Sequence, residues 1–186
     1  GDAVMAICGL DLIRRRALPK KTLVATVMSN MGLDQCIAKA GGRVVRTRVG
    51  DRYVVEELRR CGYSFGGEQS GHLVFLDHAT TGDGLLTALR VMDVLVRSGQ
   101  PLEQLVADLK VFPQTIKNVR VREKRPFEDF PSVATAIRSA ESQLDGCGRV
   151  VVRYSGTEAL ARVMVEAESE DTLRRLTDDI AGEIQK

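Results

Sequence analysis

Apolar side chains recur along this chain with two different periods. Between residues 3 and 14 they fall at Met5, Cys8, Leu12 and near neighbours, a helical stripe that Pro19 closes off. "TLVATVM", beginning at Thr22, is dense enough in apolar residues for a buried strand. Asn30 is placed to cap a helix through Ile37, the glycine pair at 41 and 42 ends it, and "RVVRTRV" supplies a second strand rich in β-branched residues. Asp51 is expected to cap a third helix, with Val54, Val55, Leu58 and Cys61 on its inner side and Gly62 as its stop. "YSFGGEQSGHLVFL" divides into two short extended runs around a glycine-rich loop. Asp83 then heads the longest helix, whose Leu85, Leu89, Met92 and Val96 follow each other at spacings of four, three and four. That spacing predicts one continuous apolar face.

The pattern changes at "KVFPQ". Pro113 cannot continue a helix and pushes its predecessor to extended geometry, so a domain boundary or hinge is expected at Phe112 and Pro113. Beyond it, "TIKNVRVR" alternates as a strand, and Val133, Ile137, Ala140 and Leu144 mark a helix. "RVVVRY" and "ARVMVEA" are two more strands, and Leu173, Leu176, Ile180 and Ile184 mark a closing helix. The expected fold is α/β: a three-layer-like α/β domain with a mixed sheet, then a smaller two-layer α+β domain with an antiparallel sheet and both helices on one face. Residues 20–112 form the first and 113–186 the second. Residues 1–19, which open without methionine directly into a helical pattern, read as the end of a preceding domain of a longer protein.

Composition adds mainly exclusions. Lys and Arg number 27 against 25 Asp and Glu, a formal charge of +2, so no global field draws the chain to nucleic acid or an anionic membrane. Aromatics are 4% and tryptophan is absent, which argues further against nucleic-acid stacking. No apolar run reaches the roughly 18–20 residues of a membrane span. Cys8, Cys36, Cys61 and Cys147 are widely spaced, and only His72 and His78 could join them, so neither a zinc site nor a disulfide framework is expected. They read as buried thiols of a cytoplasmic protein.

Two loops hold the candidate chemistry. "RYSGTEALAR", residues 153–162, joins the last two strands and is longer than a tight hairpin needs. Gly156 allows backbone N–H groups to converge, Ser155 and Thr157 add hydroxyls, and the guanidinium forks of Arg153 and Arg162 match phosphate oxygens. "GEQSGH", residues 67–72, offers Glu68 as an acceptor of two hydroxyl hydrogen bonds and Ser70 as donor and acceptor. Glycines 66, 67 and 71 would let a sugar ring approach the backbone, and His72 is placed close by. "VGDRYV", residues 49–54, presents Gly50 at a strand-to-helix turn and Arg52 in the first helical turn, where an anion can also sit. "TTGDG", residues 80–84, reads as a capping turn, and nothing supports a role for His78.

These four segments, in this order, resemble loops of the α-D-phosphohexomutases. "RYSGTEALARVMVEA" is similar to that superfamily's phosphate-binding loop and "GEQSGH" to its sugar-binding loop. Gln69 is the version associated with the branch acting on glucosamine phosphates, with the mannose and glucose phosphate branches as the alternative. The resemblance implies Glu68, Ser70 and His72 at the sugar, and Arg153, Ser155, Gly156, Thr157 and Arg162 at the phosphate that does not react. It further implies a phosphorylated hexosamine as partner, Mg²⁺ as cofactor, and a phosphoserine nucleophile. Serine and metal ligands would belong to two upstream domains, leaving this piece inert alone. A homodimer stays open, as does a stand-alone phosphosugar-binding module. Tyr154 and Ala159 stand where the superfamily usually has proline, which implies a more flexible unbound loop.

Overall fold

The computed structural model describes residues 1–186 and divides into two compact units, Gly1–Val111 and Phe112–Lys186. In the first unit, β1 (Thr22–Thr26) is the hub. It pairs in parallel with β2 (Arg43–Thr47) and with β3 (Phe65–Gly67), and β4 (Leu73–Phe75) closes the sheet antiparallel to β3. The order is β2-β1-β3-β4, a mixed sheet as expected. All five residues of β1 are buried because both faces of the strand are covered. Leu23 and Ala25 point to a cluster shared with α1 (Asp2–Arg14) and α2 (Met31–Lys39). Val24 points the other way, to Val54 and Leu58 of α3 (Asp51–Cys61).

The helix over residues 2–14 is no appendage. Eight of its residues, Met5 to Leu10 with Leu12 and Ile13, are buried among α2, the sheet and α4 (Gly84–Ser98). It is an integral layer of the first unit, so residues 1–19 do not stand apart as the end of another domain. A helix apolar on nearly every side requires cover on every side, and α2, the sheet and α4 supply it.

Two further expectations differ. The side chain of Asp51 does not cap α3. Gly50 occupies the cap position at φ +128°, and Asp51 Oδ1 instead accepts from the adjacent Arg52 N–H. Asn30 and Asp83 do cap, accepting from the N–H groups of Gly32 and Leu86. The second difference concerns α4. Its Leu85, Leu89, Met92 and Val96 are 73%, 52%, 49% and 83% exposed, while Thr87 and Val94 are buried and Leu86, Val91 and Leu95 half-buried against the core. The helix is apolar on two adjacent sides, and the first unit uses only one. The short α5 (Leu102–Leu105) buries Leu105 beside Val94 and Ile7.

The second unit has β7 (Leu160–Ala167) between two edge strands, β5 (Gln114–Arg120) and β6 (Gly148–Tyr154), all antiparallel. Helices α6 (Pro131–Leu144) and α7 (Glu170–Gln185) share one face of the sheet. Ala140, Leu144, Leu173, Leu176 and Ile180 meet Val163 and Val165 there. By strand alternation, Arg153 and Arg162 project from the opposite face. Glu166, on that same face, is buried and paired with Arg149 of β6 while accepting from Gln114 Nε2 at 3.0 Å. At 16 residues α7, not α4 with 15, is the longest helix.

Candidate functional site

In the first unit, the turn at 68–71 is closed by two backbone bonds. Glu68 N–H donates to the His72 carbonyl at 2.9 Å, and Gly71 N–H donates to the Glu68 carbonyl at 3.0 Å. A second loop joins it, because Gly50 N–H donates to Glu68 Oε1 at 2.9 Å. "GEQSGH" and "VGDRYV", 18 positions apart along the chain, are therefore one structural feature. The left-handed φ of Gly50 turns its N–H towards that carboxylate. Oε2 of Glu68 has no such bond, and the residue is half-buried. Ser70 and His72 are exposed, with Ser70 Oγ 3.5 Å from His72 Nδ1. The "TTGDG" turn lies alongside, Asp83 N–H donating to the Leu73 carbonyl at 3.3 Å.

Gly66 and Gly67 serve a purpose other than the one expected of them. A Cβ on Gly66 would lie 2.4 Å from the Val24 carbonyl oxygen, and one on Gly67 2.6 Å from that of His72. Their smallness admits neighbouring strands rather than a ligand ring. Arg52 is turned to its own helix, 4.9 Å from the Tyr53 ring and 3.6 Å from Glu56. Arg48, which no motif singled out, lies 4.2 Å from the same ring centre. His78 is exposed and its side chain engages nothing.

In the second unit, Arg153 and Arg162 are directly opposite in the β6–β7 register. Like charges in that relation repel. The Nε of each is buried without an acceptor. Burial, and then the neighbouring Arg162 charge, pull the Arg153 guanidinium below its ordinary range. Two buried cationic donors side by side, each with an unused N–H, form an arrangement that can donate hydrogen bonds to an anion. Ser155 is buried between them and the loop, its Oγ accepting from Glu158 N–H at 3.3 Å and from Arg162 Nη2 at 3.4 Å. Glu158 accepts from Arg162 Nη2 at 3.1 Å and so occupies a donor of that arginine. Residues 156–159 are exposed. Gly156 has an ordinary negative φ and open space where a Cβ would stand, so nothing in the unbound loop demands glycine.

The loop is also tied from outside. Lys124 Nζ donates to the Ser155 carbonyl at 2.7 Å, Tyr154 Oη donates to the Arg125 carbonyl at 2.7 Å, and the Tyr154 ring stacks on Phe127. Sequence reasoning missed Lys124, which lies 31 residues from its partner with no pattern linking them.

No three His, Cys, Asp or Glu side chains come together anywhere in the chain, so its residues do not fit a divalent metal ion. No helix is long and apolar enough to cross a membrane. Cys8 and Cys36 are buried and burial raises both thiols, Cys8 to about 12. Cys147, against expectation, is exposed, because it sits in the turn between α6 and β6 rather than in a core.

The first unit is a mixed-sheet α/β body and the second an antiparallel α+β body, and both match one family. Residues 1–112 match "Phosphoglucomutase/phosphomannomutase, alpha/beta/alpha domain III" and residues 116–183 match the C-terminal domain of the same family. The chain belongs to the phosphoglucomutase/phosphomannomutase family. Among its relatives, the phosphoglucosamine mutase of Anaeromyxobacter dehalogenans is 59% identical over 186 residues, all of this chain and 41% of that protein. The phosphoglucosamine mutase of Solidesulfovibrio magneticus is 56% identical over 97% of this chain and 40% of its own length. The chain thus spans about two-fifths of these relatives. The fold is also that of Aspergillus fumigatus N-acetylphosphoglucosamine mutase, solved with GlcNAc-6P and magnesium. Its TM-score is 0.81 at 22% identity, covering 100% of this chain and 47% of that one.

Proposed function

We propose that this chain is the substrate-positioning part of an enzyme that interconverts glucosamine 6-phosphate and glucosamine 1-phosphate by phosphoryl transfer. The observation that supports it most is the Arg153–Arg162 pair, opposed across two strands with both Nε groups buried and unpartnered. Such a pair is unfavourable empty and favourable around a phosphate, whose oxygens can accept from both guanidinium groups. Ser155, Gly156 and Thr157 complete that site. Glu68, held by Gly50 through one oxygen, keeps the other for sugar hydroxyls, with Ser70 and His72 beside it. Identity of 50–59% to several phosphoglucosamine mutases over the full chain supports the amino sugar rather than mannose or glucose.

Phosphoryl transfer also needs a nucleophile in line with the phosphorus and neutralisation of charge on the transferring group. Nothing in this chain fits the metal, and we assign it no reacting serine. Its residues bind and orient, which fixes the substrate in a reactive geometry and excludes alternatives. We assign the phosphoserine and the Mg²⁺ ligands to parts of the enzyme outside these 186 residues, and the enzyme to the cytoplasm. The test is turnover by the enzyme carrying that remaining length, offered glucosamine 6-phosphate, mannose 6-phosphate and glucose 6-phosphate. Preference for the first is expected; preference for either other moves the assignment to a sister branch. Tight, selective phosphosugar binding with no turnover by the complete protein would favour a binding module instead.

A further inference from the structure

Tyr154 closes β6, one position before the buried Ser155. Its ring stacks on Phe127 with centroids 4.4 Å apart and planes inclined by 16°. Its hydroxyl reaches the Arg125 carbonyl at 2.7 Å, and Lys124 Nζ reaches the Ser155 carbonyl at 2.7 Å. Three contacts from residues 124–127 therefore grip two consecutive residues of the phosphate loop. The gripping segment is itself anchored, since Phe127 packs with Val119, Ala161 and Ala181 of β5, β7 and α7. Residues 156–159 are exposed, held by Val121 N–H donating to the Ala159 carbonyl at 3.0 Å and by Arg162 Nη2 donating to Glu158 at 3.1 Å, and Gly156 and Thr157 lie between these ties.

We propose that Tyr154 and Lys124 are positioning residues of the phosphate site: they fix the backbone at 154 and 155 so that the loop donors converge before the anion arrives, and neither touches it. The inference rests on the phosphate reading of the loop. An anion bound by backbone and hydroxyl donors gains most when those donors are already ordered, because ordering then takes nothing from the binding free energy. A proline at 154 would reach the same end differently, by fixing φ. The position tolerates one: the ladder bond runs from Ser155 N–H to the Leu160 carbonyl, which leaves the Tyr154 N–H on the open side of an edge strand.

The test is calorimetric titration of inorganic phosphate into the 186-residue chain and its variants, with thermal melting of each. Tyr154→Phe keeps the stack and loses one hydrogen bond, so affinity should fall about threefold with a melting temperature lower by only a few degrees. Tyr154→Ala loses both contacts and should bind about tenfold more weakly. Tyr154→Pro should recover most of that loss, which a residue needed only for packing or touching phosphate directly would not show. Lys124→Met should weaken binding about as much as Tyr154→Ala. Arg153→Ala should abolish binding; if its heat matches that of the unaltered chain, the phosphate reading itself is wrong. If Arg153→Ala abolishes binding while Tyr154→Ala and Lys124→Met titrate normally, the positioning role is refuted and the phosphate site stands. Tyr154→Pro binding as weakly as Tyr154→Ala would also refute it.

Discussion

Replacing Arg153 with methionine should make the anion-free protein more stable and insensitive to phosphate. Arg153 faces Arg162 directly across β6 and β7, a like-charge relation that costs a sheet about 0.2–1 kcal/mol. Its Nε–H is buried with no acceptor, which adds about 1–3 kcal/mol in a fully desolvated site and less here, where the residue is only half-buried. Methionine keeps the apolar stem and forfeits a single marginal contact, Arg153 Nη1 to the Tyr154 carbonyl at 3.5 Å. A net gain of about 1 kcal/mol is therefore expected, equivalent to a rise in melting temperature of about 4–8 °C for a unit of this size. The assay is thermal unfolding with and without phosphate. The unaltered chain should gain about 2.7 kcal/mol when phosphate is at a hundredfold excess over its dissociation constant. Arg153→Met should start higher and stay there. A variant that melts below the unaltered chain without phosphate, or still climbs when phosphate is added, refutes the idea that these arginines together bind an anion.

Other consequences can be checked in the same chain. Leu89→Ala on the exposed side of α4 should alter stability by no more than about 0.5 kcal/mol, whereas Leu23→Ala at the buried centre of β1 should cost about 2–5 kcal/mol by denaturant titration. Gly50→Ala forces a side chain onto a φ of +128° and should cost about 1–3 kcal/mol, and should also weaken sugar phosphate binding by releasing Glu68. The Cys8 thiol, raised by burial from 9.0 to about 12, ionises less readily folded than unfolded. Its contribution is fully present below pH 9 and is lost as pH rises towards 12, so stability should decline across that window by up to about 1.4 kcal/mol per pH unit, and Cys8→Ala should remove this slope. In native conditions a thiol reagent should modify Cys147 and spare Cys8.

Periodicity was a sound guide wherever one element supplied its own signal. Asn30 and Asp83 are caps, β1 is buried on both faces, and the strand–helix–strand–strand–helix order of the second unit follows from alternation and from the 3.6-residue spacing. It failed where the answer depended on what lies across from an element. The Leu85, Leu89, Met92 and Val96 stripe has the right spacing, yet α1 meets the neighbouring side of α4, through Ile7 and Val94. The helix over residues 2–14 reads as detachable in sequence because no local pattern encodes α2 and α4 closing over it. In the site, residue types at short spacing were legible: Arg153, Ser155 and Arg162 lie within one hairpin. The Gly50–Glu68 bond and the Lys124–Ser155 bond join residues 18 and 31 positions apart, and no local pattern encodes such a pairing. Gly66 and Gly67 resemble ligand-facing glycines in sequence, but only the proximity of the Val24 and His72 carbonyls reveals that strand packing requires them.

Amide chemical-shift mapping during titration of glucosamine 6-phosphate into the ¹⁵N-labelled chain is the most direct measurement of what the two loops hold. Shifts should concentrate at Ser155, Gly156 and Thr157 in the second unit and at Gly50 and residues 68–71 in the first. Shifts scattered over other surfaces, with 155–157 unmoved at saturating ligand, would contradict the assignment of this loop to the phosphate.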